Sequence, residues 1–373
     1  MARTETRRAV LGASAAVAGF SLAPAAFAAP ERGPGKGPWK HDKPQAHGLN
    51  SAALDKAADQ LAAAGERQGL VVIRHGVLVY ERYWANAWAK ATPEWRNVSF
   101  SSAKSWHSTM TGLAITQGNL KVDNLIAKWH PETESGFRPG VTLRHLLTMS
   151  TGGTLEQKPP SLVPKKLADM TPPGPGFEYT HRAAPPAGAP AGYAVTLEPG
   201  KLFYYDGAAV DHLSDVVAGA VGQGTHKYIM DGIVAPLGCE AFNYQPEGID
   251  HKGNIRIGGS IQLSCRDMAR LGQLYLNGGR WAGKQLIAPS YIRQAISPSQ
   301  LAHHYGFLWW LNGTGRTPSA PKSMYMANGA RGQFCFVLPE HDMVIATMGF
   351  GEQQLATEDA WKTLAPILPK VAA

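Results

Sequence analysis

Apolar residues recur at helical spacing in several segments of the chain. This pattern predicts helices at about 51–64, 102–117, 142–149, 208–221, 264–277 and 354–368. Ser51 suits the N-cap of the first helix, and the apolar face of that helix would carry Leu54, Ala57, Ala58 and Leu61. The helical segments therefore occupy mainly the middle of the chain.

Short runs of β-branched and aromatic residues predict strands near both ends. Residues 70–73 and 77–80 are joined by Arg74-His75-Gly76, a sequence that suits a hairpin turn, and further runs lie at 305–310, 333–338 and 343–347. Strands at both ends with helices between them predict an α+β fold. We expect an antiparallel sheet built from both termini and flanked by helices, with a helical region inserted at about 105–250.

Composition marks three segments outside this regular pattern. Residues 155–198 are rich in Pro and Gly and predict a surface excursion with little regular structure, for which a lid, a binding wall and plain disorder are open alternatives. Residues 29–48 predict a flexible lead-in to one domain at 49–370. Residues 1–28 have the organisation of an export signal.

In that signal, Arg7-Arg8 precede Val10-Leu11 and a mild apolar stretch, and Ala26-Phe27-Ala28 place small residues where a signal peptidase reads. The paired arginines resemble a twin-arginine signal; an ordinary secretory signal is the alternative. The apolar stretch is too short and too rich in Ala and Gly to span a bilayer. We therefore expect a secreted, periplasmic or cell-envelope protein without stable membrane insertion.

Composition excludes several classes of protein. The chain has 373 residues, of which 44 % are apolar and only 17 % charged, so neither highly charged disorder nor a coiled coil is expected. The net charge is +8, but no dense basic run with interleaved aromatics is present, so we expect no nucleic-acid partner. The three cysteines, Cys239, Cys265 and Cys335, show no CxxC spacing and indicate neither a zinc site nor a redox pair. Their pairing and the oligomeric state stay open.

Ser101 and Lys104 are the strongest candidates for chemistry. They form an S-x-x-K motif at the start of a predicted helix, so their side chains would lie about one turn apart on one face. A serine hydroxyl becomes a good nucleophile when a nearby base takes its proton, and a lysine can be that base. The motif alone is weak, because an N-cap serine beside a solvated lysine gives the same letters.

Blocks around and downstream of this motif resemble, in order, the serine β-lactamase and penicillin-binding-protein superfamily, in its class-C-like branch of esterases, peptidases and amidases. The blocks that carry the resemblance are residues 126–131 (IAKWHP), 141–153 (VTLRHLLTMSTGG), 199–205 (PGKLFYY), 236–238 (PLG), 266–272 (RDMARLG), and 329–333 (GARGQ) before 337–339 (VLP). The resemblance covers roughly residues 50–365. It implies a β-lactamase/transpeptidase-like fold.

The resemblance also implies catalytic roles. Ser101 would be the acylated nucleophile, Lys104 its base partner and Tyr205 the tyrosine of the family's Tyr-x-Asn element, with Tyr204 as a rival. The backbone N–H groups of Ser101 and Ala330 would form the oxyanion hole. No cofactor is implied.

Two family positions differ in this chain. Gly207 stands where Asn is usual, and the Lys-Thr-Gly strand falls on Ala327-Asn328-Gly329, so its lysine is missing. These losses argue against an efficient β-lactamase and favour relatives that cleave esters or small linear amides, such as carboxylesterases and 6-aminohexanoate-dimer hydrolases. The candidates for substrate contact are Asp206, Asn328, Gly329, Arg331 and Trp309.

The predicted function is therefore that of an exported serine hydrolase acting on a small-molecule ester or amide. One alternative is a DD-peptidase, penicillin-binding or weak β-lactamase activity on cell-wall-related substrates, and another is a catalytically retired binding protein. A Ser-His-Asp triad is not favoured, because no G-x-S-x-G motif is present. H-E-x-x-H is also absent and His303-His304 lack ligand spacing, so no catalytic metal is expected.

Overall fold

The computed structural model describes residues 31–87, 89–157, 177–181, 194–256, 261–351 and 354–369. The strands are β1 (Arg67–Arg74), β2 (Val77–Tyr83), β3 (Asn97–Val98), β4 (Gly153–Gln157), β5 (Phe177–Thr180), β6 (Ala194–Leu197), β7 (Phe242–Tyr244), β8 (Ile261–Leu263), β9 (Arg280–Trp281), β10 (Lys284–Gln285), β11 (Trp310–Leu311), β12 (Tyr325–Gly329), β13 (Gln333–Leu338) and β14 (Met343–Gly349). The helices are α1 (Ser51–Ala64), α2 (Ala103–Thr116), α3 (Glu132–Ser135), α4 (Leu143–Leu147), α5 (Gly207–Asp211), α6 (Leu213–Val221), α7 (Thr225–Ile229), α8 (Ala235–Leu237), α9 (Cys265–Leu276), α10 (Pro289–Ala295) and α11 (Thr357–Leu364).

The main sheet has six strands in the order β11-β12-β13-β14-β1-β2, and every neighbouring pair is antiparallel. β1, from the start of the domain, lies beside β14, from its end, with Val72 opposite Ile345. The predicted sheet from both ends of the chain, and with it the α+β class, is confirmed.

Helices cover both faces of this sheet. Cys335 and Phe336 are neighbours on β13 and therefore point to opposite faces. Cys335 lies under Gly272 of α9, and Phe336 packs edge-on against Trp361 of α11, with ring centroids 5.1 Å apart. β13 and β14 are buried along their whole length, which explains their continuous apolar runs.

Most predicted elements match the structure, and one strand does not. The predicted helix at 51–64 and the hairpin of β1 and β2 are confirmed. The predicted strand at 305–310 is wrong for most of its length, because only Trp310 and Leu311 pair as a strand there. Leu308 has a φ of 59°, which interrupts an extended run.

The segment expected to be a flexible lead-in is packed against the body from residue 31 onwards. Trp39 is 4 % exposed, and its ring lies 5.5 Å from the Arg270 guanidinium. Arg270, fully buried on α9, donates hydrogen bonds to the carbonyl oxygens of Gly35, Gly37 and Leu237. These bonds tie the lead-in to α9. Residues 1–30, which include the predicted export signal, lie outside the described residues.

The Pro- and Gly-rich excursion contains more regular structure than expected. β4, which begins just before it at Gly153, forms a three-stranded antiparallel sheet with β5 and β6. Residues 158–176 and 182–193 of the excursion lie outside the described part of the chain. All three cysteines are free thiols, and no helix among the described residues is long and apolar enough to cross a membrane.

α2 is the central helix of the inserted region, and residues 103–114 are buried although many are polar. Thr109 and Thr111 satisfy their hydroxyls within the helix, by donating to the carbonyl oxygens of Ser105 and His107 at 2.8 and 2.9 Å. Gly112 lets Tyr291 of α10 approach closely, since a Cβ at Gly112 would lie 2.7 Å from that ring. The helix is therefore held rigidly along its length.

His107 is fully buried on α2, and neither ring nitrogen has a hydrogen-bond partner. Burial, reinforced by the charge of Lys104, lowers the pKa of His107 to about 3. The folded state therefore keeps this imidazole neutral at pH values where the unfolded chain protonates it.

We expect His107 to contribute to acid destabilisation. Because the folded state binds fewer protons below a pH of about 6.5, the free energy of unfolding falls as the pH drops from there towards 3. In His107→Leu this loss should be smaller, by up to about 3 kcal/mol at pH 4. Urea unfolding between pH 7 and pH 4 measures it, with the exposed His303→Leu as control. Equal pH slopes in wild type and His107→Leu would contradict the assignment.

Candidate active site

Ser101 lies in a single 3₁₀ turn, Phe100–Ser102, that leads directly into α2. Phe100 has a φ of 47°, a conformation that is uncommon for a bulky residue and that marks a locally constrained turn. Ser102 is fully buried and donates to the carbonyl oxygen of Ser99 at 2.7 Å, whereas Ser101 is partly exposed. The turn therefore presents the Ser101 side chain at the edge of the fold.

Lys104 lies one helical turn beyond Ser101, as the spacing of the motif predicts. Its Nζ donates a hydrogen bond to Ser101 Oγ at 3.0 Å, and the residue is only 5 % exposed. Among the residues that the structure describes, no carboxylate forms a salt bridge with Lys104. The amine instead lies 5.2 Å from the centre of the Tyr205 ring.

Of the two candidate tyrosines, Tyr205 is the one beside Lys104. Its ring stacks on Trp310, with centroids 5.3 Å apart, and contacts Tyr305 edge-on at 6.0 Å. A Cβ at Gly207 would lie 3.9 Å from Lys104 Nζ, so the position that is usually Asn in the family faces the amine here without a side chain. The lost amide leaves space next to the Ser101–Lys104 pair.

The end of β12 closes the other side of the Ser101 turn. A Cβ at Gly329 would overlap the carbonyl oxygen of Ser99 and lie 3.1 Å from the Ser102 nitrogen, so only glycine permits this approach. Ala330, which follows, is exposed. The two backbone segments that the sequence assigns to an oxyanion hole are therefore neighbours.

Arg331 and Asn328 lie on either side of Gly329-Ala330 in the chain, and their side chains make different contacts. The Arg331 guanidinium lies 5.4 Å from the centre of the Phe100 ring, next to Ser101 in sequence, and the residue is exposed. The Asn328 side chain donates to Thr357 Oγ1 of α11 at 3.3 Å. Arg331 thus places a positive charge near the turn, while the Asn328 amide is held by α11.

Two other residues predicted to contact substrate, Trp309 and Asp206, make packing and helix-capping contacts within the protein. Trp309, predicted to contact substrate, is fully buried, with its ring 4.3 Å from that of Tyr275, so its side chain is packed in the core rather than open to a ligand. Asp206 caps α5 by accepting from the Ala208 N–H at 2.8 Å, and it also bonds His181 at 3.3 Å. Its carboxylate is therefore engaged in holding the helix that follows Tyr205.

Trp310, rather than Trp309, packs against the Tyr205 ring. Besides Tyr205, its ring stacks on His304 and lies 4.4 Å from the Arg316 guanidinium. The sequence could not distinguish the two tryptophans, because the positive φ of Leu308 breaks the alternation that a continuous strand would impose. No motif or pattern in the sequence indicated that Arg316 lies near the site.

Comparison with known proteins is consistent with this geometry. A family model described as Beta-lactamase matches residues 54–364. No curated protein matches significantly. The match to the family model spans most of the chain, including every residue of the Ser101 site described above.

Solved structures share the fold at low sequence identity. A Bacillus anthracis protein provisionally named a 6-aminohexanoate-dimer hydrolase is 18 % identical, with a TM-score of 0.61, covering 82 % of this chain and 81 % of its own. The octameric penicillin-binding protein homologue from Pyrococcus abyssi is 17 % identical, with a TM-score of 0.58, covering 86 % and 79 %. A class C β-lactamase from Rhodobacter sphaeroides is also 17 % identical at 0.58, covering 85 % and 98 %. The chain belongs to the beta-lactamase family, and its fold is that of the family's serine hydrolases.

Proposed function

We propose that this protein is an exported serine hydrolase that cleaves ester or small amide bonds through an acyl-enzyme on Ser101. The observation that carries the proposal is the 3.0 Å hydrogen bond between the buried Lys104 amine and Ser101 Oγ, beside the Tyr205 ring. A nucleophile within hydrogen-bond reach of its base, with a third group beside that base, is the arrangement that covalent acyl transfer needs. The family membership supports the same reaction class.

In the proposed first step, Ser101 Oγ attacks the carbonyl carbon while its proton passes to the Lys104–Tyr205 pair. The carbonyl oxygen becomes an oxyanion, held by the backbone N–H groups of Ser101 and Ala330. As the carbonyl re-forms, the C–O or C–N bond breaks and the pair returns the proton to the departing alkoxide or amine. A water molecule then repeats the sequence on the acyl group and releases the acid, which restores Ser101.

The side chains around the site favour small esters or linear amides over lactams. Gly207 and Ala327 stand where the family's lactam-binding members carry Asn and Lys, so two polar anchors for such a substrate are missing. The partly exposed ring of Tyr205, supported from behind by Trp310, remains beside the site, and an aromatic face of this kind suits an apolar acyl group. The similarity to the Bacillus anthracis protein supports the amide side of the proposal.

The proposal of export rests on the sequence alone. The paired arginines Arg7-Arg8, the apolar stretch and Ala26-Phe27-Ala28 are its basis. The free state of all three cysteines is compatible with a protein that folds before export, since no disulfide is needed.

The proposal predicts turnover of a short-chain chromogenic ester that depends on Ser101. Ser101→Ala should lower kcat/KM at least about 10³-fold, because the nucleophile and its activation are lost together. Hydrolysis of a chromogenic β-lactam, measured in parallel, should be much slower than that of the ester. Efficient lactam acylation with little ester turnover would favour a penicillin-binding activity instead. If neither substrate responds to the loss of Ser101, the proposal fails.

Adjacent tyrosines provide a matched test of proton transfer. Tyr205→Phe keeps the ring that stacks on Trp310 but removes the hydroxyl, so kcat should fall about 10²-fold or more while KM changes little. Tyr204→Phe should leave both constants close to wild type. Steady-state kinetics of the two variants on the ester decide this, and a larger loss in Tyr204→Phe would reassign the tyrosine.

Gly329→Ala should disable the site without unfolding the protein. The added Cβ would overlap the Ser99 carbonyl oxygen and push β12 away from the Ser101 turn, so kcat should fall about 10²–10³-fold, as for loss of an oxyanion donor. Gly313→Ala is the control, since its Cβ would meet nothing within 4 Å. Thermal unfolding checks that both variants fold. Wild-type kcat in Gly329→Ala would contradict the role of this contact.

A further inference from the structure

Two histidines and an aspartate converge at a second place in the inserted region. His130 Nε2 and His212 Nδ1 are 2.7 Å apart, and Asp215 Oδ2 lies 3.9 Å from His130 Nε2. Together these three ligand atoms lie within 4.8 Å of one another. His130 is 6 % exposed, so the ring that faces His212 is shielded from solvent. None of the three residues contributes to the acyl-transfer steps proposed above.

We propose that His130, His212 and Asp215 bind a divalent transition-metal ion of the zinc class. Two imidazole nitrogens and one carboxylate oxygen are a ligand set that such ions accept, with water in the remaining position. Nitrogen ligands at about 2.0–2.1 Å from a tetrahedral ion are about 3.3 Å apart. The two rings would therefore separate by about 0.6 Å, a movement that side-chain torsions can supply.

Neighbouring groups are arranged as an outer layer for such an ion. Glu134 Oε2 lies 3.7 Å from His130 Nδ1, the nitrogen that would not bind metal, and a small shift of this exposed carboxylate would let it accept a hydrogen bond that orients the imidazole. Asn254 Nδ2 donates to Asp215 Oδ1 at 3.1 Å, which helps to fix the aspartate, while Oδ2 is the carboxylate oxygen nearer to His130.

Arg256 is the group that opposes metal binding. Its guanidinium donates to Asp215 Oδ2 at 3.0 Å and to Asp250 Oδ2 at 2.7 Å. An ion on Oδ2 would weaken the first of these bonds, and Asp250 would keep the second. The repulsion between Arg256 and the ion favours moderate rather than very tight binding.

The ion would act as a structural cross-link. His130 precedes α3, whereas His212 lies between α5 and α6, and the two residues are 82 positions apart. α5 begins immediately after Tyr205-Asp206, so metal binding would fasten the segment that carries the tyrosine of the acyl-transfer site. The site is predicted from side-chain positions, independently of the proposed reaction.

The test uses tag-free protein that has been dialysed against a chelator. Titration with Co²⁺ should give the visible absorption of a tetrahedral or five-coordinate site, saturating at one ion per chain. Addition of Zn²⁺ should abolish that absorption and raise the Tm by several degrees. His130→Gln and His212→Gln should each lose the absorption and the Tm shift, whereas the exposed His303→Gln retains both. Ser101→Ala should also retain both, so this result does not depend on the proposed reaction.

Asp215→Asn guards against variants that simply fail to fold. It keeps both imidazoles and should weaken Co²⁺ binding at least about tenfold, with the metal-free Tm showing that the fold persists. Absence of a Co²⁺ spectrum in the wild type would overturn the proposal and leave the pair as two hydrogen-bonded histidines. Retention of the spectrum in His130→Gln and His212→Gln would overturn it as well, by placing the ion elsewhere.

Discussion

Burial of the Lys104 amine is the constraint on which the rest of this structure depends. An amine removed from water loses its hydration, and this loss must be offset by the groups that surround it. Here the Ser101 hydroxyl and the face of the Tyr205 ring fill that role. These groups must be held in place. The buried helix α2 fixes Lys104, and the aromatic rings that pack on Tyr205 fix the tyrosine.

The site lies where the sheet and the inserted helical region meet. The 3₁₀ turn before α2 carries Ser101, α2 carries Lys104, the loop before α5 carries Tyr205, and the end of β12 supplies Gly329. Each comes from a different part of the chain, so no single element can form the site alone. The close approach at Gly329 holds the sheet against the start of α2. The packing of the core and the geometry of the site therefore depend on the same contact.

Local sequence patterns predict much of this arrangement. The features that they do not predict are missed for physical reasons. Periodicity is local, so the helix at 51–64 and the main sheet follow from it, and the S-x-x-K spacing predicts the contact between Ser101 and Lys104. Contacts between side chains and backbone groups far apart in the chain produce no comparable pattern in the local sequence. The anchoring of the lead-in by Arg270 depends on carbonyl groups, which carry no sequence signal. The sequence does not distinguish Trp309 from Trp310, because the positive φ of Leu308 interrupts the alternation that would assign each ring to one face.

The pairing of β1 with β14 has a consequence for how the chain reaches its native state. During synthesis the hairpin of β1 and β2 emerges well before its partner edge, which arrives only with residues 343–349. Until then β1 exposes an unpaired, strongly apolar edge, a feature that invites association with other chains. The main sheet therefore cannot be completed until residues 343–349 are available, and a fold dominated by such distant pairings is slow to form. A holdase chaperone that shields β1 would be of most use to this protein before β14 has been synthesised.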